Sequence, residues 1–404
     1  MESIGWEYCR KTCGRECTEE ILDFANMVFG MEYGRTDFAS LLPKAYAPER
    51  CGIPVHHMIM EENRLRALID VYPLTLRLKG KSGCTVSAAY VGTVSVHPNA
   101  RGRGYMIELM KRVEEDARSQ GCALLILDGD RHRYQHYGYE HAGIRYRFQI
   151  GTGNIRHCCA AIYSDSDMAS PAYSFEELDR QSPYLDMLYA LYQNRLVTAR
   201  PREDFWYCLQ SYQASAYAIL RDGRPVGYMS ISSEEKNVTE IEMEDVQELP
   251  RVLYDLMTGF DTEQLCVSVG MDETDKAGQL EKACGYCDLS MSHQIRILDY
   301  ESVLSFLLEW KRQYGSPAAG EYVLGVQNAE TGSVEKYLLS VAEEISVSRT
   351  DQAADTVLGE LYLVSILTTG FCFAEQQKGA RSKIRNAPAG WFPLPFYLPE
   401  ADTF

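Results

Sequence analysis

The stretch from residue 91 to residue 139 constrains the fold most strongly, because a glycine-rich turn there joins a strand to a helix. Val94 and Val96 alternate with small or polar residues, as expected for a half-buried strand. Pro98 ends this strand, since proline cannot donate a hydrogen bond to a sheet. The turn RGRG at residues 101–104 follows, and a helical pattern begins directly after it.

The predicted helix is amphipathic, and a buried strand follows it. The apolar face consists of Met106, Leu109, Met110, Val113 and Ala117. Gly121 is placed to end the helix, and residues 123–127 form a short apolar run typical of a buried strand. Tyr134 and the pair Gly138-Tyr139 come shortly afterwards.

This arrangement predicts an anion-binding site at the start of the helix. Backbone N–H groups of the first helical turn have no partner within the helix, and the helix dipole favours negative charge there. Glycine lets the backbone approach a phosphate closely. Arg101 and Arg103 can add charge-assisted hydrogen bonds.

Length and charge limit the class of protein. A chain of 404 residues predicts two or three domains. No apolar run approaches the roughly 20 residues that cross a bilayer, and the N-terminus lacks the pattern of a signal peptide, so we expect a cytoplasmic protein without membrane contact. The net charge of −17 argues against a nucleic-acid partner and favours cationic ones.

The thirteen cysteines are expected to be reduced thiols, because no export signal is recognisable. Cys9, Cys13 and Cys17 follow each other at intervals of four residues, which favours one face of a helix. No histidine lies near them in the sequence, so we expect no metal site.

The remaining pattern predicts further elements on both sides of the turn. The first domain is expected to contain helices over 19–29 and 37–46, strands over 55–60, 64–71, 74–78 and 86–96 with a turn at 80–83, and a closing strand over 144–150. The next region is expected to contain a helix from Ser182 with an apolar face reaching Leu196, and strands over 216–220, 226–231 and 240–246.

An internal repeat decides how this second region is interpreted. After the strand that ends at Val246, the chain reads QELP, with no glycine and an acidic residue where a phosphate would bind. The segment LEKACGY at residues 280–286 matches residues 134–139, and Glu281 stands where the first copy has Tyr134. The repeat therefore predicts a second copy of the fold without an anion site.

The last region combines strands, a helix and an apolar tail. Strands are predicted over 321–326, 334–339 and 345–348, and a helix over 353–366. Four prolines between residues 388 and 399 exclude a helix from the tail. Because residues 391–404 are rich in aromatic and aliphatic side chains, we expect this tail to run extended and buried.

The glycine-rich stretch resembles the acetyl-CoA-binding core of the GNAT N-acetyltransferases, whose signature is (Q/R)-x-x-G-x-(G/A). Arg101 and Gly104 fit this signature, whereas Met106 departs from it. The whole chain resembles the Eis-type (enhanced intracellular survival) members. That resemblance implies an α/β (α+β) chain: a catalytic GNAT domain over 1–150, a degenerate GNAT-like domain over 151–290 and a sterol-carrier-protein-like domain over 291–404.

The resemblance also implies an activity, namely acetyl transfer from acetyl-CoA to a primary amine of a cationic substrate. An aminoglycoside, a polyamine and a lysine side chain remain open as acceptors, and a homo-hexamer is expected. Tyr134 would act as general acid and the C-terminal carboxylate of Phe404 as general base. The cofactor would contact Val94, Val96, Arg101, Gly102, Arg103, Gly104, Tyr105 and Met106.

Several alternatives remain open from the residues alone. Asp128, Asp130, His132 and His136 surround Tyr134 in sequence and are alternative proton carriers. Glu32, Glu400 and Asp402 are candidates for binding the amine. A non-catalytic acetyl-CoA-binding protein or a lipid-binding scaffold would be the alternative to an enzyme.

Overall fold

The computed structural model describes residues 6–78, 83–193, 197–232, 236–329, 331–370, 384 and 386–404. Most of the turn predicted at residues 80–83, and Leu196 of the predicted apolar face, lie outside the described residues.

The first region contains the predicted strand, turn and helix within a longer series of elements. They are β1 (Trp6–Lys11), α1 (Arg15–Tyr33), α2 (Phe38–Leu41), α3 (Pro43–Tyr46), β2 (Val55–Glu61), β3 (Arg64–Arg77), β4 (Thr85–Val96), α4 (Tyr105–Ser119), β5 (Leu124–Leu127), α5 (Arg131–Gln135) and β6 (Glu140–Gly151). Cys9 lies in β1 and Cys17 in α1, and Gly14 caps α1 between them. The prediction that Cys9, Cys13 and Cys17 share one helix face is therefore wrong.

The second region repeats much of this order. Its elements are α6 (Thr152–Ala160), α7 (Asp165–Met168), β7 (Ser174–Glu177), α8 (Leu185–Gln193), α9 (Phe205–Leu209), β8 (Ala214–Arg221), β9 (Arg224–Ser232), β10 (Asn237–Met243), α10 (Leu249–Gly259), β11 (Gln264–Gly270), α11 (Thr274–Ala283) and β12 (Tyr286–Ile297). A strand, two or three helices, three strands, a helix, a strand, a helix and a closing strand thus occur in the same order from β1 to β6 and from β7 to β12.

The third region adds a small sheet between helices. Its elements are α12 (Tyr300–Tyr314), β13 (Gly320–Gln327), β14 (Val334–Val341), β15 (Ile345–Arg349), β16 (Thr356–Gly359) and α13 (Glu360–Thr369). The four strands form a sheet in the order β15-β14-β13-β16. The helix predicted over residues 353–366 is wrong in its first half, because β16 pairs parallel to β13 before α13 begins.

Twelve strands of the described residues form one mixed sheet in the order β1-β2-β3-β4-β5-β12-β6-β11-β10-β9-β8-β7. β12 lies between β5 and β6, and β6 pairs on its other side with β11. Each half of the repeat therefore contributes its closing strand to the other half. Met291, where the third domain was predicted to begin, lies inside β12.

Apolar cores cover both faces of this sheet. On one face of the first half, α4 packs on strand residues such as Ile59, Leu125 and Leu127. On the other face, residues of α1, α12, α13 and the tail share one core, so the first and third regions pack together. None of the helices among the described residues is long and apolar enough to span a bilayer.

Candidate active site

A bulge near the end of β4 opens the edge of this strand. Ser95 pairs with Leu68 and Gly92 with Asp70, so two residues of β4 oppose one residue of β3. Thr93, inside the bulge, has a φ of 52°. β5 pairs with β4 only at residues 88–90, so the edge of β4 beyond the bulge is not covered by β5.

The glycine-rich turn faces this open edge. Gly102 and Gly104 have φ values of 79° and 82°, in the left-handed region that glycine adopts without strain. Gly104 caps α4 without a side-chain hydrogen bond, so the first N–H groups of the helix stay available. Among the described residues, and apart from the chain neighbours of each glycine, none lies within 4 Å of the position where a Cβ would stand, which leaves the backbone open to a ligand.

The edge and the turn enclose a cavity of about 410 Å³, which we call the turn cavity. Its lining includes Val94, Val96, Arg101, Gly102, Gly104, Tyr105 and Met106. Seven of the eight residues predicted to contact a cofactor therefore lie at one cavity. Helix α1 forms the opposite wall, with Val28, Phe29, Glu32 and Tyr33.

Two residues that were predicted to bind ligands form ion pairs within the protein. Arg103 is the eighth predicted cofactor residue, and its guanidinium bonds both carboxylate oxygens of Glu61, at 2.9 and 3.0 Å. Glu32, a candidate for binding the amine, lies in the turn cavity and forms an exposed ion pair with Arg101 at 3.6 Å. The geometry thus pairs Arg103 with Glu61 and places Glu32 in the turn cavity beside Arg101.

Tyr134 lies in α5, and the helix start is fixed by Asp130, whose side chain accepts a hydrogen bond from the N–H of Arg133 at 3.1 Å. The Tyr134 side chain is 6% exposed. Burial raises its pKa to about 12, so the phenol stays protonated at neutral pH. His132 and His136 point outward and are exposed, and Asp130 serves as a helix cap.

The tail reaches β4 at the bulge. Phe404 stacks on Tyr72 with ring centroids 5.3 Å apart, and its ring lies 5.7 Å from that of Tyr46. A Cβ at Gly92 would stand 2.7 Å from the Phe404 ring and 2.8 Å from its terminal O atom, so a glycine is required there. The end of the described chain therefore rests on the residue next to Thr93, within the same strand as Val94 and Val96.

Lys44 holds the end of the tail in place, a role that the sequence did not suggest. It is 1% exposed, and its Nζ donates to the carbonyl oxygens of Ala401 and Thr403. Burial lowers its pKa to about 8. Asp402, predicted as an amine ligand, is instead buried against the Arg200 guanidinium at 2.6 and 2.9 Å. Arg200 also bonds Glu240, which completes a buried ionic cluster.

A chain of buried polar side chains supports the bulge. Tyr46 donates to Asp70 at 2.5 Å, and its oxygen lies 2.8 Å from the Thr93 hydroxyl. The other oxygen of Asp70 lies 2.7 Å from Nδ1 of His56. All four residues are less than 9% exposed, and β2, β3, α3 and β4 each contribute one of them. This network ties the strained Thr93 backbone to three neighbouring elements.

Two further cavities with shared lining residues lie beside the tail. Volumes are about 200 and 450 Å³, and both are lined by Arg145, Tyr212, Asn237 and Glu400. The smaller one also contacts Asp128, His293 and Thr403. We call this pair the arginine cavity. Glu400 therefore faces the arginine cavity, which Asp402 does not line.

Asp128 forms the inner wall of the arginine cavity. Its carboxylate accepts a hydrogen bond from the Tyr90 hydroxyl at 2.7 Å and lies 3.0 Å from Nδ1 of His293. Nε2 of His293 lies 3.1 Å from the Leu398 carbonyl oxygen, so the imidazole links the sheet to the tail. This contact across the repeat was not predictable, because His293 belongs to the exchanged strand β12.

Comparison with known proteins agrees with this geometry. Residues 11–142 match the acetyltransferase (GNAT) domain family. A search of the curated proteins found no match. Among solved structures, Eis1 from Mycobacterium abscessus is 16% identical, with 99% of this chain and 100% of that chain covered and a TM-score of 0.65. A GCN5-related N-acetyltransferase from Kribbella flavida is 17% identical, with 94% and 92% covered and a TM-score of 0.65.

The matched domain, the open strand edge and the glycine-rich turn indicate an acyltransferase enzyme with a GNAT domain at residues 11–142. The arrangement around that domain extends the resemblance to the rest of the chain. Over almost its full length, the protein has the fold of an Eis-type GNAT N-acetyltransferase.

Proposed function

We propose that this protein transfers an acetyl group from acetyl-CoA to a primary amine, with Tyr134 as general acid and the Phe404 carboxylate as general base. The observation that carries the proposal is the position of Phe404. Its terminal O atom comes within 2.8 Å of the Cβ position at Gly92, two residues before Val94 of the turn cavity. A carboxylate and a candidate cofactor cavity therefore meet at one bulge.

The turn cavity fits the pyrophosphate and pantetheine arm of coenzyme A. Uncapped N–H groups at Gly104 suit the negative diphosphate, and the guanidinium groups of Arg101 and Arg133 also line the cavity. The backbone of Val94 and Val96 is available to hold the arm and to orient its carbonyl. Acetyl-CoA would supply an acetyl thioester, which is the activated form of the group to be transferred.

The proposed acid must be protonated at neutral pH and the proposed base deprotonated. Most primary amines are ammonium ions at neutral pH, so a base must remove a proton before attack. The Phe404 carboxylate is ionised there. Tyr134 keeps its proton because burial raises its pKa to about 12, and it can deliver that proton to the leaving sulfur.

The proposal is tested by measuring thiol release from acetyl-CoA with a panel of primary amines. Tyr134→Phe is expected to lower kcat by about 10²–10⁴-fold while acetyl-CoA still binds, as measured by calorimetry. Tyr137→Phe, a nearby and only partly buried tyrosine, is the matched control. Equal rates for the parent and Tyr134→Phe would remove Tyr134 as the acid.

The base is tested by adding two serines after Phe404, which moves the carboxylate away from the bulge. We expect a loss of kcat with little change in acetyl-CoA affinity. Phe404→Leu keeps a terminal carboxylate and serves as the control. An extended protein that retains full activity would exclude the terminal carboxylate, and Asp128 would then be the next candidate because it lines the adjoining arginine cavity.

We also propose that the second region is a GNAT-like copy that has lost its cofactor site. Support comes from the repeated element order and from Glu248, which stands before α10 and accepts hydrogen bonds from Tyr163 and Tyr173 at 3.2 and 3.0 Å. A carboxylate held there would repel a phosphate. The proposed domains remain 1–150, 151–290 and 291–404, with β12 as the strand shared across the boundary.

The third region is proposed to be a sterol-carrier-protein-like scaffold, and the protein a cytoplasmic hexamer, both on the resemblance. Lipid carriage would require an apolar cavity. The cavity of about 620 Å³ between the first and third regions is lined largely by polar and charged residues, among them Arg118, Arg296, Glu301 and Glu335. This lining disfavours a lipid. Sedimentation at micromolar concentration tests the hexamer.

A further inference from the structure

The arginine cavity contains charges of both signs, and their positions bear on the acceptor. Asp128 and Thr403 line its inner part, so this part adjoins the end of the tail. Arg147 lines only the outer part, whereas Arg145 and Glu400 line both. The inner and outer parts have volumes of about 200 and 450 Å³, and together they are large enough to hold a small molecule.

The two arginines come from one strand and one face. Arg145 and Arg147 are two residues apart in β6, so their side chains point to the same side of the sheet. Phe148 and Ile150 point to the opposite side, into the apolar core of the second region. The strand pattern therefore separates a charged cavity face from a core face.

Arg145 has donors available for a ligand. Its Nε donates to Ser290 Oγ at 3.2 Å, across the pair that β6 forms with β12. Among the residues that the structure describes, no carboxylate forms an ion pair with it. A guanidinium in a cavity is stabilised by an anion that accepts two parallel hydrogen bonds.

A cavity built for a polyamine would be expected to present acidic groups throughout, since like charges in contact weaken binding. If the ammonium group of the acceptor lies near the Asp128 carboxylate, Arg145 faces the remainder of the acceptor. An acceptor with an anionic oxygen group at its other end therefore complements both the negative charge of Asp128 and the positive charge of Arg145.

We infer that the acceptor is a primary amine that also carries a carboxylate or phosphate, and that Arg145 binds this anionic group. This inference rests on the proposed function and narrows its substrate class. It favours a lysine-like or phosphorylated amine over a polyamine or an aminoglycoside.

The test compares amines in pairs that differ by the anionic group. L-lysine is paired with cadaverine, which lacks the carboxylate, and phosphoethanolamine is paired with ethanolamine. Thiol release from acetyl-CoA gives kcat/KM for each. We expect at least one anionic member to exceed its partner by about tenfold or more, corresponding to about 1.4 kcal/mol. The pair with the larger ratio identifies the group as carboxylate or phosphate.

The variant Arg145→Gln assigns the preference to this residue. We expect it to raise KM about tenfold for the preferred amine that carries the anionic group, and to leave KM unchanged for the partner that lacks this group, so that the ratio of the two kcat/KM values approaches one. Arg156→Gln, an exposed arginine in α6, is the matched control. Circular dichroism and acetyl-CoA binding verify that the fold and the turn cavity are intact.

Two failures are distinguishable. If amines are acetylated but the members without the anionic group are preferred, or if Arg145→Gln leaves the ratio unchanged, the inference is wrong and the proposed function stands. If no amine in the panel releases thiol, the proposed function is contradicted and the inference falls with it.

Discussion

At the scale of single residues, the site depends on a backbone conformation that side chains maintain. The φ of 52° at Thr93 is uncommon for a β-branched residue. The hydroxyl of Thr93 contacts Tyr46, and Asp70 joins Tyr46 to His56. Burial raises the pKa of Tyr46 well above its usual value, so this hydroxyl remains a donor. The bulge therefore persists without a ligand.

Lys44 provides a prediction at this scale. Lys44→Met removes the donor of two carbonyl oxygens near the end of the tail, and each unsatisfied buried acceptor costs about 1–3 kcal/mol. We expect a lower free energy of unfolding in urea and a loss of acetyl transfer, because Phe404 is released from Gly92.

Lys311→Met is the control for this variant, because Lys311 also donates to a tail carbonyl, that of Pro393 at 3.0 Å, but farther from the end of the tail. It should reduce stability and leave kcat close to the parent value. If both variants reduce kcat equally, Lys44 has no special effect on the site.

The sequence identified the residues of the glycine-rich turn, but not the residues that hold the tail beside it, and the difference has a physical reason. Gly102 and Gly104 act through their own backbone, so their neighbours in sequence are enough to identify them. Lys44 acts on residues more than three hundred positions away, and a lysine in a short helix looks like any surface lysine. Asp402 and Glu400 are both acidic residues of one turn, and only the fold places Asp402 on Arg200 and Glu400 at a cavity.

At the scale of elements, the tail is held by ionic and apolar contacts in series. Trp391, Leu394, Phe396 and Leu398 are fully buried, as their composition predicted. The buried pair of Asp402 and Arg200 connects the tail to Glu240 of β10. The extended tail thus acts as a strap, meaning that it packs in the core of the first and third regions and is joined by Arg200 to β10 of the second region.

Asp402→Asn tests the strap. Removing one partner of a buried ion pair typically costs about 3–5 kcal/mol, and we expect the low end because Arg200 keeps Glu240. Asp186→Asn is the matched control, since Asp186 makes the same Nε contact of 2.6 Å with Arg202 at the surface. The control Asp186→Asn should lower the free energy of unfolding by at most about 1 kcal/mol. Equal losses in urea unfolding would contradict this account.

At the scale of the whole molecule, buried tyrosines predict how stability depends on pH. Burial raises the pKa of Tyr134, Tyr173 and Tyr207 to about 12, against an ordinary value of 10.0. The folded state therefore retains protons that the unfolded state loses above pH 10. The free energy of unfolding should fall as the pH rises from about 10 to 12.

The measurement is urea unfolding at a series of alkaline pH values, combined with tyrosinate absorbance. We expect part of the absorbance to appear near pH 10, from exposed tyrosines such as Tyr33 and Tyr286, and the rest to appear later, together with the loss of structure. Full ionisation near pH 10 in a protein that remains folded would contradict the prediction.

Strand periodicity predicted most strands but not their neighbours. β5 and β6 were predicted as an apolar and an alternating run, because a strand pattern depends on local residues, whereas β11 was not predicted. Their pairing depends on which distant edges are free, which no local pattern records. The predicted division at residue 291 therefore falls inside one strand.

The exchange of β6 and β12 has a consequence for biosynthesis. While the ribosome is still making β7 to β11, the gap between β5 and β6 stays open, and the facing edges of these two strands have no partner. The sheet of the first half cannot close until β12 of the second half has been made. Nascent chains that stall before β12 should therefore be prone to aggregate.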